Sequence, residues 1–437
     1  MIRDGNFVAM RYILRNSKGE VLEDKHTIYR HGSLTISPRL QTQLEGLKAG
    51  DTKQITLKKG EEGADDDFFF EVVINSIRET PFPLKIHLLS GFLGSGKTTA
   101  IIQACRFLKN QNIPVAVITN DQGARLVDSD LFTHLGIPSG QVTNGCFCCN
   151  YNDLDQSIHR LSGQRQNGNI HSSPAVLFAE SVGSCTDLIA TVLKPLVQQH
   201  PEWQPTVSVF ADARLLQSLL DDSTAPAFDR SVRYIYFKQL EEAQVIVVSK
   251  TDLLADKAPL QDLMQKRYGE KTILYQNSFE QEDIAHWLTT LDNTPFSAAL
   301  PSLNIDYDLY GAGEAKLAWL DHELEIQCPS NKAQATAMAL MQRLSTVDCP
   351  IGHLKFLLDG KTKLSFTATG TTDDHHPDPF PSATLLINAR VQTEPANLSN
   401  LIDNTIDAIE KEYQCTIRTI SKRCFQPGFP KPTHRIS

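Results

Sequence analysis

The chain has 437 residues, with 42 Lys and Arg against 51 Asp and Glu, a formal net charge of −9 and a sequence pI of about 5.8. That balance argues against a general nucleic-acid binder or a protein held on anionic membrane, and the length suggests about two to four domains. No apolar run of about 18 residues occurs, so no membrane span is expected; nine cysteines, three of them clustered, do not read as a disulfide framework; and the opening residues show no signal-like apolar stretch, so the cytoplasm is the expected compartment.

Residues 1–80 read as a separate small α+β unit. Phe7 to Leu14 alternates weakly, as a strand does, and Asn16-Ser17-Lys18-Gly19-Glu20 is turn chemistry. A helix includes Leu40 and Leu44 and closes at Gly46, and Thr52 to Leu57 and Phe68 to Ile77 are further strands. The acidic stretch 61–67 is a solvated loop. Through Gly19-Glu20-Val21-Leu22, His31-Gly32-Ser33-Leu34 and Leu44-Glu45-Gly46-Leu47-Lys48-Ala49-Gly50-Asp51, the segment resembles a compact FKBP-like domain of the SlyD type. It contains no Trp and no evident aromatic floor for an isomerase pocket, so a docking or chaperone module is expected. Thr80-Pro81-Phe82-Pro83 carries the linker, residues 81–83, into the next unit.

Residues 84–295 carry the chemistry. Leu84 to Leu89 is a buried strand, Gly91-Phe92-Leu93-Gly94-Ser95-Gly96-Lys97-Thr98 fits G-x-x-x-x-G-K-[ST], and Thr98 to Leu108 is the helix that leaves the loop. Gly91, Gly94, Ser95, Gly96, Thr98 and Thr99 are expected around the phosphates. Lys97 reaches the β- and γ-phosphates, and Thr98 ligates Mg²⁺. The strand Val115 to Thr119 delivers Asn120-Asp121-Gln122-Gly123. The strand Ala175 to Ala179 delivers Glu180-Ser181-Val182-Gly183. Asp121, Glu180 and Gly183, with Lys97, form the expected catalytic set, the carboxylates holding Mg²⁺ or water and Gly183 sensing the γ-phosphate. The strand Val245 to Val248 ends in Ser249-Lys250-Thr251-Asp252, which resembles the Asn-Lys-x-Asp guanine motif of GTPases. Asp252 would accept from guanine N1–H and the exocyclic amine, and Lys250 would lie along the base. Ser249 in place of Asn loses an amide that ties this loop to the phosphate loop. No arginine finger can be assigned, so intrinsic turnover is expected on the order of minutes to hours.

Gly145-Cys146-Phe147-Cys148-Cys149 packs three thiols into four residues. No second C-x-x-C exists to complete a Cys₄ zinc ribbon, and iron–sulfur spacings do not fit. Three thiolates with an open fourth position suit a metal that is held and then released, and their softness favours Zn²⁺ or Cu⁺ over Mg²⁺ or Ca²⁺. Zinc is the first choice, with Asp121 or Glu180 as candidates for the fourth ligand. Cys105, Cys185, Cys328, Cys349, Cys415 and Cys424 are scattered and read as small core residues.

Residues 305–437 read as strand, helix Lys332 to Leu344, strands near His353 to Leu358, Lys363 to Ala368 and Ala383 to Val391, helix Leu398 to Glu412, and a last strand. That order suits a ferredoxin-like α+β layer. Asp373-Asp374-His375-His376-Pro377-Asp378 has the side chains of a metal site but reads first as an exposed loop, and the proline-rich end from Phe425 reads as an extended tail docked on the domain or a partner.

In their order along the chain, Gly91 to Thr99, Asn120 to Gly123, Gly145 to Cys149, Glu180 to Gly183 and Ser249 to Asp252 resemble the CobW family within the CobW/HypB/UreG class of P-loop GTPases. Asp121 replaces the family's usual Glu, and Ser249 its usual Asn. The resemblance implies an α/β P-loop GTPase domain with a mostly parallel sheet, a CobW-type C-terminal domain, GTP and Mg²⁺ as cofactors, and hydrolysis coupled to delivery of Zn²⁺ or Co²⁺ to a metal-requiring client apoprotein. A nucleotide-stabilised interaction scaffold and a P-loop kinase are the alternatives, the second opposed by the Ser249 to Asp252 motif. The oligomeric state stays open, a homodimer among the options.

Overall fold

A computed structural model of the chain describes residues 1–33, 36–61, 64–79, 83–120, 127–143, 145–162, 165–166, 169–170, 174–221, 228–294, 296, 300–370 and 377–437. Thr80-Pro81-Phe82 of the expected linker, Asp121-Gln122-Gly123 and Asp373-Asp374-His375-His376 therefore lie outside the described residues, as does Leu34.

The N-terminal unit is an antiparallel sheet in the order β2-β1-β4-β3, built from β1 (Phe7–Arg15), β2 (Val21–Arg30), β3 (Thr52–Leu57) and β4 (Phe68–Arg78), with α1 (Pro38–Leu44) on one face. Alternate residues Val8 and Met10 of β1 and Val72 and Ile74 of β4 point to that face and meet Leu40 and Leu44. Ser37 caps the helix through its hydroxyl, and Gly46 follows it with φ +80°. A cavity of about 200 Å³ opens beside α1, lined by Tyr12, Ile36, Leu40, Ile55 and Phe70 among others.

The central unit is a seven-stranded parallel sheet in the order β13-β12-β11-β5-β10-β6-β7. Its strands are β5 (Lys85–Gly91), β6 (Val115–Asn120), β7 (Ser139–Val142), β10 (Val176–Glu180), β11 (Gln204–Asp212), β12 (Val245–Ser249) and β13 (Thr272–Gln276); a two-stranded ribbon, β8 (Arg165–Gln166) with β9 (Asn169–Ile170), stands apart. The helices are α2 (Lys97–Asn110), α3 (Val127–His134), α4 (Tyr151–Ser162), α5 (Lys194–Gln199), α6 (Ala213–Leu220), α7 (Arg230–Glu242), α8 (Ala258–Tyr268) and α9 (Gln281–Asp292). β5, β6, β10, β11 and β12 are apolar and buried along almost their whole length, because helices cover both faces. Two buried apolar clusters result, one on each side of the sheet. The ends of β5, β6, β10 and β12 converge on one edge, where such sheets bind ligands.

The C-terminal unit follows α10 (Tyr307–Ala315). It comprises β14 (Leu317–Gln327), α11 (Ala333–Ser345), β15 (Ile351–Leu358), β16 (Thr362–Phe366), β17 (Ser382–Gln392), α12 (Pro395–Tyr413) and β18 (Thr416–Phe425). The antiparallel order β16-β15-β17-β14-β18 is the ferredoxin-like arrangement with β16 added at one edge. α11 and α12 bury Leu340, Leu344, Leu398, Ile402 and Ile409 against it. Two cysteines read from sequence as separate core residues are instead joined there, as the disulfide Cys328–Cys415.

Candidate functional site

The turn after β5 is shaped for phosphate. Gly91, Gly94 and Gly96 have φ of +128°, +77° and +87°, and a Cβ on Gly91 would fall 2.1 Å from the carbonyl oxygen of Phe210. Lys97 begins α2, is buried, and donates from Nζ to the Gly91 and Phe92 carbonyls at 2.6 and 3.3 Å. Burial pulls its ammonium down to about 8, against the nearby Glu180 carboxylate. Thr98 Oγ1 donates to Glu180, 2.9 and 3.0 Å from its two oxygens, so the hydroxyl and carboxylate expected to hold Mg²⁺ already face each other. Desolvation raises the Glu180 carboxyl. Ser95 Oγ is buried in this loop with no hydrogen-bond partner among the described residues, a spare donor within the phosphate-loop turn.

Across the loop, Ser249 Oγ donates to the Ser95 carbonyl at 2.7 Å and approaches that of Ala211 at 3.2 Å. The tie that the missing amide was expected to cost is supplied by the serine hydroxyl. Lys250 follows with φ +57°, its Nζ 2.9 Å from Asp212 Oδ2, and Asp212 also caps α6 through the N–H groups of Arg214 and Leu215. Asp252 is exposed at the rim. Ser95, Ser249, Lys250 and Asp252 line a cavity of about 630 Å³ with Thr99, Gly183 and Val182. Gly183 packs so closely that a Cβ would lie 2.9 Å from the Leu93 nitrogen.

The C-terminal sheet closes the far wall of that cavity. His353 and Lys355 of β15, Lys363 of β16 and Thr367 line it. Lys355 and Lys363 both pair with Asp128, the second residue of α3, the Lys363 contact being 2.7 Å. The two ammonium groups hold the Asp128 carboxyl far below its ordinary range despite its burial. Thr369 Oγ1 donates to Asp212 at 3.1 Å, and the Val127 amide donates to Asn388 at 3.0 Å.

The thiols lie on the other side of the same strand ends. Cys146 Sγ is 3.0 Å from Cys148 and 3.1 Å from Cys149, and the latter two are 3.8 Å apart. Sulfurs around a tetrahedral zinc at about 2.3 Å stand roughly 3.8 Å apart, so the cluster has the scale of a metal site. Asn120, at the end of β6, fixes the loop: its Nδ2 donates to Val142 and Gly145 carbonyls at 3.0 and 2.7 Å, and its Oδ1 accepts from the Phe147 amide at 2.8 Å. The sequence offered Glu180 as a fourth ligand and set Cys185 among core cysteines. In the structure both Glu180 oxygens face Thr98, whereas the buried Cys185 thiol lies close enough to Cys146 and Cys148 to perturb them. S–H groups of Cys148, Cys149 and Cys185 around one sulfur draw the Cys146 thiol well down, while Cys148 and Cys185 are raised.

The tail expected to dock does so over this cluster. The Lys431 amide donates to Cys149 Sγ at 3.3 Å, the Thr433 amide to the Cys148 carbonyl at 2.8 Å, and Thr433 Oγ1 to the Cys149 carbonyl at 2.8 Å. Arg435 Nε anchors it on Asp187 at 2.7 Å.

Sequence reasoning marked Cys185, two residues past Gly183, as worth a test but assigned it no role, and it missed Asp128, Asp212, His353, Lys355, Lys363 and the tail's target. A thiol five residues past Glu180 was the available signal for Cys185; nothing local marks two lysines in a distant sheet.

The loop, strand order and cavity define a P-loop nucleotide-binding domain. Residues 85–274 match the family model described as CobW/HypB/UreG, nucleotide-binding domain, and this part of the chain is a domain of that class. The chain is 26% identical over 187 residues to the zinc chaperone YjiA and 27% identical over 195 residues to the zinc chaperone YeiR, both of Escherichia coli K12. These alignments cover 42% and 44% of this chain, which spans about half the length of each relative, 54%. Among solved structures, Helicobacter pylori HypB in complex with nickel aligns over 49% of this chain and 90% of its own at 17% identity, with a TM-score of 0.37. No helix among the described residues is long and apolar enough to cross a membrane.

Proposed function

We propose that the chain is a GTPase whose nucleotide state governs the holding and transfer of a soft metal ion, Zn²⁺ first, to a client apoprotein. One observation carries this reading: two continuous segments run from the phosphate cavity to the thiols. Asn120 ends the strand that enters residues 121–126 and grips the Cys146 loop. Glu180 pairs with Thr98, and five residues on Cys185 faces the thiols, with Gly183 packed on the phosphate loop between them. A change at the γ-phosphate would move both segments and so alter the spacing of the sulfurs. The relatives' names, zinc chaperones, agree with zinc as cargo.

Within this reading Lys97 and the loop amides hold the β- and γ-phosphates. Thr98 and Glu180 hold Mg²⁺, which when bound neutralises phosphate charge. Asp252 selects guanine, with Lys250 along the base. Asp121 is the proposed switch and water-positioning carboxylate. Cys146, Cys148 and Cys149 bind the cargo with Cys185 as fourth ligand. Residues 1–80, 84–295 and 305–437 act as three domains, the first an FKBP-like docking module in the cytoplasm.

The test is Zn²⁺ affinity by chelator competition on reduced protein, with GDP and then with a non-hydrolysable GTP analogue and Mg²⁺. A shift of about tenfold or more, about 1.4 kcal/mol of coupling, is expected. Tight binding without a shift would make the thiols structural and favour the scaffold reading, for which the apolar cavity of the N-terminal unit is the supporting observation.

A further inference from the structure

A second group of metal-ligating side chains stands outside the thiol cluster. α4 leaves the cysteine loop at Tyr151 and presents Asp155 and His159 one turn apart, hence on one face. His200, the C-cap of α5, meets them there. His200 Nε2 is 2.7 Å and His159 Nε2 3.8 Å from the same oxygen, Asp155 Oδ1, and one ligand atom from each residue lies within 4.8 Å of the others.

The imidazoles are held by an indole. His200 stacks on Trp203 at 3.9 Å with 20° between the rings, and His159 tilts over the same ring at 5.1 Å. Stacking removes rotamer freedom that a metal would otherwise have to freeze. The His159 side chain is 54% exposed, against 16% for His200 and 22% for Asp155, so the group opens to solvent on one side. Ligands around a tetrahedral ion at about 2.0–2.1 Å stand roughly 3.4 Å apart, which requires the 2.7 Å His200–Asp155 contact to widen by about 0.7 Å and the 3.8 Å His159–Asp155 contact to close by about 0.4 Å.

We propose that Asp155, His159 and His200 form a second metal site, one that takes a borderline divalent ion such as Zn²⁺. Two imidazoles and a carboxylate suit Zn²⁺, Co²⁺ or Ni²⁺ and disfavour Mg²⁺ and Ca²⁺, which require oxygen. The open side leaves a position for water. Asp155 is the fifth residue of α4, the helix that follows the cysteine loop, so the two sites are neighbours along the chain but share no ligand. Lacking thiolate, the histidine site is the weaker and the faster to exchange.

The test uses the full chain with Cys146, Cys148 and Cys149 replaced by Ser, titrated with Zn²⁺ by calorimetry and with Co²⁺ by absorption. One equivalent should bind without the sulfur-to-cobalt charge-transfer band, and adding His159→Ala should weaken it at least tenfold. His159 is exposed enough that its loss should not unfold the protein. Unchanged affinity in that variant, or no saturable binding before it, overturns the site. Should the serine variant fail to fold, the wild-type chain serves: bound Zn²⁺ should fall by one equivalent in His159→Ala with the charge-transfer band of the Co²⁺ form retained, and an unchanged stoichiometry overturns the proposal. Loss of that band reports on the thiols alone, so failure of the metallochaperone reading is seen separately.

Discussion

Asp128→Asn is the most informative single change. Asp128 sits at the start of α3, just past residues 121–126, and its carboxylate is shared by Lys355 and Lys363 of the C-terminal sheet. The three side chains are 15–17% exposed, so solvent screens them weakly. Asparagine keeps the shape and removes the anion, leaving two ammonium groups facing each other. Removing one member of a buried pair costs about 3–5 kcal/mol, and partial exposure places this case near about 3 kcal/mol. The cost falls on the junction between α3 and β15, where Val127, Leu357 and Leu386 also pack. Hydrogen exchange should therefore quicken roughly 100-fold at Val127–His134 and Ile351–Leu358, while the N-terminal sheet is unaffected. Nucleotide binding should move the other way. Lys355 and Lys363 line the phosphate cavity, so loss of the competing carboxylate should tighten GTP. Exchange within threefold of the wild type, or weaker GTP binding, would refute the reasoning.

Ser249→Ala deletes the hydroxyl tie to Ser95; about 1 kcal/mol of stability should go, with roughly tenfold weaker GDP binding by calorimetry, and an unchanged affinity would show the tie to be idle. Deleting residues 427–437 removes the bonds from Lys431 and Thr433 to the thiol loop, so Zn²⁺ should pass to a chromophoric chelator at least tenfold faster in stopped flow; an equal rate would mean the tail is no cover. His87 is buried in β5, and burial lowers its pKa from an ordinary 6.5 to about 4. Between those values the unfolded chain takes a proton that the folded chain refuses, so stability falls as pH drops from about 6.5 to about 4, by about 1.4 kcal/mol per unit. The stability difference between wild type and His87→Gln, from urea midpoints, should shrink across that window; a gap independent of pH would refute it.

The phosphate loop, its flanking strand and helix and the ends of β6, β10 and β12 were legible in the sequence, because each is local: β-branched runs bury as strands, and glycines before Lys97 permit one turn. The thiol cluster was legible for the same reason, its three sulfurs lying within four residues. The ferredoxin-like order of the last unit followed from its alternating elements. What faces what did not follow. That Glu180 turns to Thr98 while Cys185 lies on the thiol side depends on how the segment after β10 packs against Leu93. That Ser249 keeps the loop tie depends on β12 ending within hydrogen-bonding reach, 2.7 Å, of the Ser95 carbonyl in the phosphate loop. The wall of Lys355 and Lys363 comes from 227 and 235 residues beyond Asp128, and the Lys431 amide reaches Cys149 across 282. Sequence spacing fixes contacts only within one or two turns of chain; beyond that, burial of apolar faces sets the docking, and polar partners meet where that docking brings them.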